Sequence, residues 1–221
     1  PKRKGIVPIT KPASEKQQEN HYLVWFDTEY SGLDLEEAHL LQVAALITDR
    51  SLRRVRPVET DIRLAIRLPS DAAVSPWVEE NLPELIAACR SSSAVELVEA
   101  DRLLAAYVDA VAGPPAEREN RRPILAGNTV HADWWLARKY LPRFTRRLHY
   151  RHLDVTALKL EWQERCPDRK FEKEDPDNVR RYFPEALLNS SDTRHDAYYD
   201  IQASIAELAF YRRCLFRPEG R

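Results

Sequence analysis

Asp27 and Glu29 stand two residues apart at the end of the apolar run Tyr22-Leu-Val-Trp-Phe26. Such a run predicts a buried strand, and strand period two puts both carboxylates on one face. Two carboxylates this close repel each other unless a cation lies between them. Hard divalent ions such as Mg²⁺ and Mn²⁺ prefer oxygen ligands of this kind. Spacing alone decides little, because Asp34/Glu36, Glu59/Asp61, Glu117/Glu119, Glu172/Glu174 and Asp175/Asp177 repeat the acid-x-acid pattern. Context singles out the first pair. It follows five apolar residues, where an unpaired charge is costly to bury, and the turn Tyr30-Ser-Gly-Leu-Asp34 comes at once.

Histidine and aspartate recur as His-x₄-Asp at His149/Asp154 and His195/Asp200. The first pair falls in an expected strand, where an offset of five turns the side chains to opposite faces. The second falls where a loop enters a helix. Within a helix that offset would separate them by about 140°, so His195 is expected on the loop, free to lean towards Asp200. That arrangement suits a base beside a metal. Asp133 is expected in a first helical turn after Gly127-Asn-Thr-Val-His-Ala132. An acid there is commonly no more than a favourable partner of the helix dipole.

Elements that could position these groups are legible along the chain. Strands are expected at 22–26, 40–47, 61–68, 124–126 and 150–154. Helices are expected across 74–111 with a break near Ser91-Ser-Ser93, and over 131–140, from 154 through Trp162, and 195–213. The stretch 165–194, rich in charge, Pro and Ser, reads as an excursion with short helical pieces. Strands first, then strands and helices mixed, predict a three-layer α/β domain. The 221 residues fit one domain over 21–221, after a flexible polar tail over 1–20. That tail is basic but lacks the apolar core of a secretion signal, and no apolar run reaches the length of a membrane span. The three cysteines form no CxxC pair, which argues against a zinc site or disulfide framework and for a reducing compartment. Net charge is −1. A protein that coats long nucleic acid is usually far more basic, whereas a small phosphate-bearing substrate needs only a local group of cations.

Three stretches together resemble a known family. LVWFDTEYSGLD, residues 23–34, is similar to the first motif of the DEDD 3′-to-5′ exonucleases, an apolar strand followed by D-x-E and T/S-G-L-D. AGNTVHADWWLARKYLPRFTRRLHYRHLDVTALK, residues 126–159, is similar to the second, with G-N-S/T, the later Asp and the H-Y-R-x-L-D-V segment. HDAYYDIQASIAELAFYR, residues 195–212, resembles the third, H-x₄-D leading into a helix. The pattern is that of the branch that uses histidine, and within it of the oligoribonucleases. It spans nearly all of residues 22–213.

The resemblance implies an RNase H-like α/β fold of three layers, with a mixed central sheet flanked by helices, and a homodimer. It assigns two divalent cations, Mg²⁺ or Mn²⁺, to Asp27, Glu29, Asp133 and Asp200, and general-base catalysis to His195. Four carboxylates offset the charge of two such ions, and an imidazole exchanges its proton near neutral pH. The implied reaction releases nucleoside 5′-monophosphates from the 3′ end of short single-stranded RNA, dinucleotides included. Leu33 matches a leucine that wedges between bases, and Trp77 an aromatic near the base site. Tyr150 (from the partner subunit) and Arg151 match residues at the terminal phosphate, and Thr129 and Thr156 match hydroxyl positions near it. The blander readings make Leu33 and Trp77 core residues and Arg143, Arg146, Arg147 and Arg151 a solvated basic surface. The chain departs from the family at Leu82, often a histidine there, and in longer stretches over 82–95 and 161–194, near the expected substrate pocket. Alternatives are an exonuclease trimming longer single-stranded RNA or DNA, and a catalytically inactive nucleic-acid-binding module. A cytoplasmic setting is expected, or a mitochondrial one in a eukaryote.

Overall fold

Leu23, Val24, Trp25 and Phe26 are all fully buried in the first strand, β1 (Tyr22–Tyr30). A continuous apolar run, rather than an alternating one, is what a strand covered on both faces requires. In the computed structural model, which describes residues 21–117, 121–188 and 195–215, β1 lies at the centre of a five-stranded sheet. Its companions are β2 (Leu40–Asp49), β3 (Ile62–Ala65), β4 (Ile124–Gly127) and β5 (His152–Asp154), in the order β3-β2-β1-β4-β5. β1, β2 and β3 run antiparallel, while β4 and β5 join β1 in parallel, so the sheet is mixed. The expected tail over 1–20 lies outside the described residues.

The pleat of β1 sorts its side chains between two helical layers. Leu23 and Trp25 pack with α6 (Val155–Arg165), α7 (Pro176–Tyr182) and above all α8 (Ala197–Leu215). Val24 and Phe26 pack with α3 (Leu97–Ala112), α4 (Val130–Tyr140) and α5 (Pro142–Thr145). Each such side chain contributes roughly 1.5–3 kcal/mol by leaving water. A smaller cluster seats α1 (Pro76–Asn81) and α2 (Pro83–Arg90) on Leu41 and Leu68 through Val78, Leu82, Ile86 and Cys89. The result is the expected three-layer arrangement.

Several boundaries differ from the sequence reading, each for a local reason. β3 stops at Ala65 because the backbone then leaves β2: Ile66 N–H still donates to Leu41 O on β2, but Arg67 N–H donates to Val95 O. The helical stretch over 74–111 is three helices, broken at Pro83 and across Ser91–Glu96. α5 was not foreseen. Pro142 starts it, and the buried Asp101 carboxylate on α3 accepts from Arg143 N–H and Phe144 N–H. β5 is shorter than expected, so His149, Tyr150 and Arg151 precede it, and the opposite-face argument for His149 and Asp154 does not apply. Asp154 instead caps α6, accepting from Thr156 N–H.

Candidate active site

Period two carries Asp27 and Glu29 to the α8 face of β1, just beyond Leu23 and Trp25, at the carboxyl end of the strand. The start of α8 meets them there. Asp196 caps this helix, its Oδ1 accepting from Tyr199 N–H at 2.8 Å. Gln42, the cross-strand partner of Glu29, locks the cap to the sheet. Its Nε2 donates to Asp196 Oδ2 at 3.1 Å, and its Oε1 accepts from Ala197 N–H at 2.9 Å. Asp200 then lies one turn into α8, and one oxygen from each of Asp27, Glu29 and Asp200 falls within 4.8 Å of the others.

His195 stands before the helix, as its spacing from Asp200 predicted, with φ 67°. A left-handed backbone is uncommon outside glycine, though histidine tolerates it better than most, and here it comes two residues before α8 begins. The imidazole packs edge-on against Trp77, ring centroids 4.9 Å apart. Trp77 is placed by α1, whose capping residue Ser75 donates its N–H to Ser31 O in the turn after β1. That turn carries Leu33, 91% exposed, so neither it nor the 49% exposed Trp77 is a core residue. Both line a cavity of about 630 Å³ together with Asp27, Glu29, His195 and Asp200.

Asp133 arrives from the other layer. β4 passes close to β1, where a Cβ on Gly127 would lie 3.1 Å from Phe26 O and 3.2 Å from Val130 Cγ1. Thr129, φ 53°, then turns the chain into α4. Asp133 sits in its first turn, 5% exposed, and its Oδ1 accepts from Thr28 N–H at 3.0 Å and the Thr28 hydroxyl at 2.7 Å. It stands outside the group of three whose oxygens fall within 4.8 Å of one another, one of its own oxygens engaged by Thr28. Its charge still reaches them. Burial, then the charges of Asp133, Asp200 and Glu29, push Asp27 well above the usual carboxylate range. Burial, then Asp200 and Asp133, raises Glu29 to about 8. Burial outweighs the Thr28 hydrogen bonds and raises Asp133 to about 7.

Those shifts are what burial together with crowding of carboxylates produces. An all-oxygen donor set on a rigid strand and helix fits a hard divalent cation, which would relieve the crowding.

The remaining predicted residues gather elsewhere. Thr129 N–H donates to Asp154 Oδ1 and Thr156 Oγ1, and the two threonine hydroxyls lie 3.1 Å apart. Tyr150 is 57% exposed and lines a separate cavity of about 350 Å³ with Arg122, Arg138 and Arg146. Arg151 is exposed, its guanidinium 5.3 Å from the Tyr150 ring centroid. Arg147 is no free cation, being paired with Asp109 through two hydrogen bonds. Thr28, Gln42, Asp196 and Lys173, whose ammonium is 2.7 Å from Asp200, were missed by sequence reasoning. Thr28 had a signal, since the residue between two same-face acids must turn to the opposite face.

No protein-family model matches the sequence. Individual relatives do. The chain is 30% identical over 210 residues to the oligoribonuclease of Streptomyces avermitilis, covering 90% of each chain. It is 32% identical over 206 residues to the mitochondrial oligoribonuclease of Bos taurus, covering 89% of this chain and 74% of that one. Its fold superposes on exonuclease I of Methylocaldum szegediense with TM-score 0.59 at 18% identity, covering 88% of this chain and 41% of that one. It superposes equally on cell-death related nuclease 4, TM-score 0.59 at 8% identity, covering 89% and 65%. The chain thus spans about two fifths of the length of exonuclease I, a likeness of fold alone. The relatives at 30% identity and above, matched over most of their own length, carry the conclusion: this chain belongs to the oligoribonuclease family.

Proposed function

We propose that this chain is a 3′-to-5′ exoribonuclease that uses divalent cations to release nucleoside 5′-monophosphates from short oligoribonucleotides. The observation that carries the reading is the meeting of Asp27, Glu29 and Asp200 within 4.8 Å on a cavity that Leu33, Trp77 and His195 also line, in a chain of this family. Asp27, Glu29 and Asp200, with Asp133 beside them, would hold two ions, Mg²⁺ or Mn²⁺. Such ions, when bound, bring positive charge to the phosphodiester and ease the ionisation of water. His195, just before α8 and sharing a cavity with Asp200, takes the proton of the attacking water. Leu33, projecting from the turn, separates the bases, and Trp77 offers one of them a stacking face. Thr129, Thr156 and Arg151 receive the terminal phosphate, for which a guanidinium supplies paired donors.

A cavity of about 630 Å³ is in the range that encloses a small ligand rather than a long strand. A strand would need a groove with more stacking aromatics and cations. Tyr150, exposed and off its own chain's carboxylate cavity, supports a homodimer in which it serves the partner's site. Size-exclusion chromatography should then give twice the 25.7 kDa chain mass, and a monomeric mass would remove that reading. The three free thiols fit a reducing compartment such as the cytoplasm, which cell fractionation checks.

The test of function is incubation with Mg²⁺ or Mn²⁺ and end-labelled RNA and DNA from two nucleotides upward. Release of 5′-monophosphates, fastest from the shortest RNAs, is expected. No release under any condition would sink the enzyme reading, and equal rates on two-mers and long strands would sink the short-substrate reading.

A further inference from the structure

Lys173 lies outside every motif, on the turn before α7. Its ammonium is 2.7 Å from Asp200 Oδ1, the two side chains only 29% and 18% exposed. The turn is held independently of that contact, because the Tyr199 hydroxyl donates to Lys173 O at 2.7 Å. Asp200 is thus shared. On one side it meets Asp27 and Glu29, and on the other it meets a built-in cation. Lys173, Glu174, His195, Tyr199 and Asp200 line a second cavity, about 270 Å³, which has His195 and Asp200 in common with the larger one.

The electrostatics agree with that placement. Burial would pull the ammonium's pKa down, but the charge and hydrogen bond of Asp200, helped by Asp27 and Glu207, hold it above the usual value. Lys173 in turn partly relieves both Asp27 and Glu29.

We propose that Lys173 is a resident counter-cation of the carboxylate cluster: it pairs with Asp200 and weakens divalent binding there. The proposal rests on the metal-site reading above. A divalent ion that claims Asp200 must either displace the ammonium or share the carboxylate with it. Either route opposes loading by an interaction of the strength of a charge-assisted hydrogen bond.

The test is isothermal titration of the full-length chain with Mn²⁺ alone, comparing wild type with Lys173→Met and Lys173→Arg. Lys173→Met should bind Mn²⁺ about tenfold more tightly, while Lys173→Arg, which keeps the charge, stays near wild type. In chelator Lys173→Met should melt lower than wild type, and its rise in Tm on adding Mn²⁺ should be larger. The Tyr199 contact to the turn backbone remains in both variants, and circular dichroism checks that they fold. Equal or weaker Mn²⁺ affinity in Lys173→Met overturns the proposal, as does Lys173→Arg binding as tightly as Lys173→Met. Wild type that binds no Mn²⁺ at all removes the metal site itself, and this proposal with it.

Discussion

Thr28 shows how one residue can join two layers of the fold. It sits between Asp27 and Glu29, and the pleat turns it to the face opposite theirs, where its hydroxyl and N–H both hold Asp133 Oδ1. Asp133 is 5% exposed and would be an uncompensated buried charge without them. Thr28→Val keeps the shape and the N–H but removes the hydroxyl donor. A hydrogen bond to a charged group contributes about 1.5–3 kcal/mol, so turnover should fall roughly tenfold to hundredfold if Asp133 must stay in place. Asp133→Ala should abolish turnover with circular dichroism unchanged. Retained activity in Asp133→Ala would exclude Asp133 from the chemistry, and unchanged activity in Thr28→Val would show that its orientation does not matter. The sequence made these residues unequally readable. Asp27 and Glu29 stood out because they end an apolar run, and His195 because it precedes a helix. Asp133 looked like any acid in a first turn, since its distinguishing partner comes from a distant strand. Lys173 gave no signal at all among Lys170, Glu172, Glu174 and Asp175. Only the folded turn selects it.

At the scale of elements, the site depends on where α8 begins. The helix carries Asp200 and follows directly on His195, and Gln42 ties its first turn to β2 through two hydrogen bonds. Gln42→Ala leaves the Asp196 cap but frees the helix start to shift against β1. A loss of about 1–3 kcal/mol in stability is expected. Turnover should fall further than that loss explains, because Asp200 moves relative to Asp27 and Glu29. Denaturant melts paired with kinetics measure both, and intact turnover with lowered stability would make Gln42 a purely structural tie. Elements with a strong period were legible in sequence. β1, β2, β4, α4 and α8 lie within a few residues of expectation because each buries a continuous or regularly spaced apolar set. What was misread turned on long-range partners. β3 ended early because Arg67 N–H turns from β2 to Val95 O. α5 was missed because its backbone donors are answered by Asp101 on another helix. Tyr150 and Arg151 fell outside β5 for want of ladder partners.

Across the whole molecule, helices from both layers converge on one end of β1, and the cost of that convergence is a set of carboxylates that cannot all ionise cheaply. Stability must therefore depend on pH and on cations. Glu29 is raised from its ordinary 4.5 to about 8, and Asp133 from 3.8 to about 7, with Asp27 moving the same way. A raised carboxylate pKa means that the folded chain holds the proton more tightly than the unfolded one. The stability it represents is complete at low pH, near and below the ordinary carboxylate range. It is lost as pH rises towards the folded values near 7 to 8, because the unfolded chain has already ionised. In chelator, Tm should fall by several degrees between pH 5 and pH 8. Glu29→Gln cannot ionise and should lose part of that slope, which separates this group from every other titration in the chain. A divalent cation bound by the ionised carboxylates, at a hundredfold excess over its Kd, would add about 2.7 kcal/mol. That corresponds to a rise of roughly 5–10 °C for a domain of this size. The rise should be larger at pH 8 than at pH 5, where protons compete for the same oxygens. Calorimetric scans at both pH values, with chelator or Mn²⁺, measure it. A metal-free Tm that is flat or rises with pH in wild type, and matches Glu29→Gln throughout, would mean that the three carboxylates do not share one crowded site.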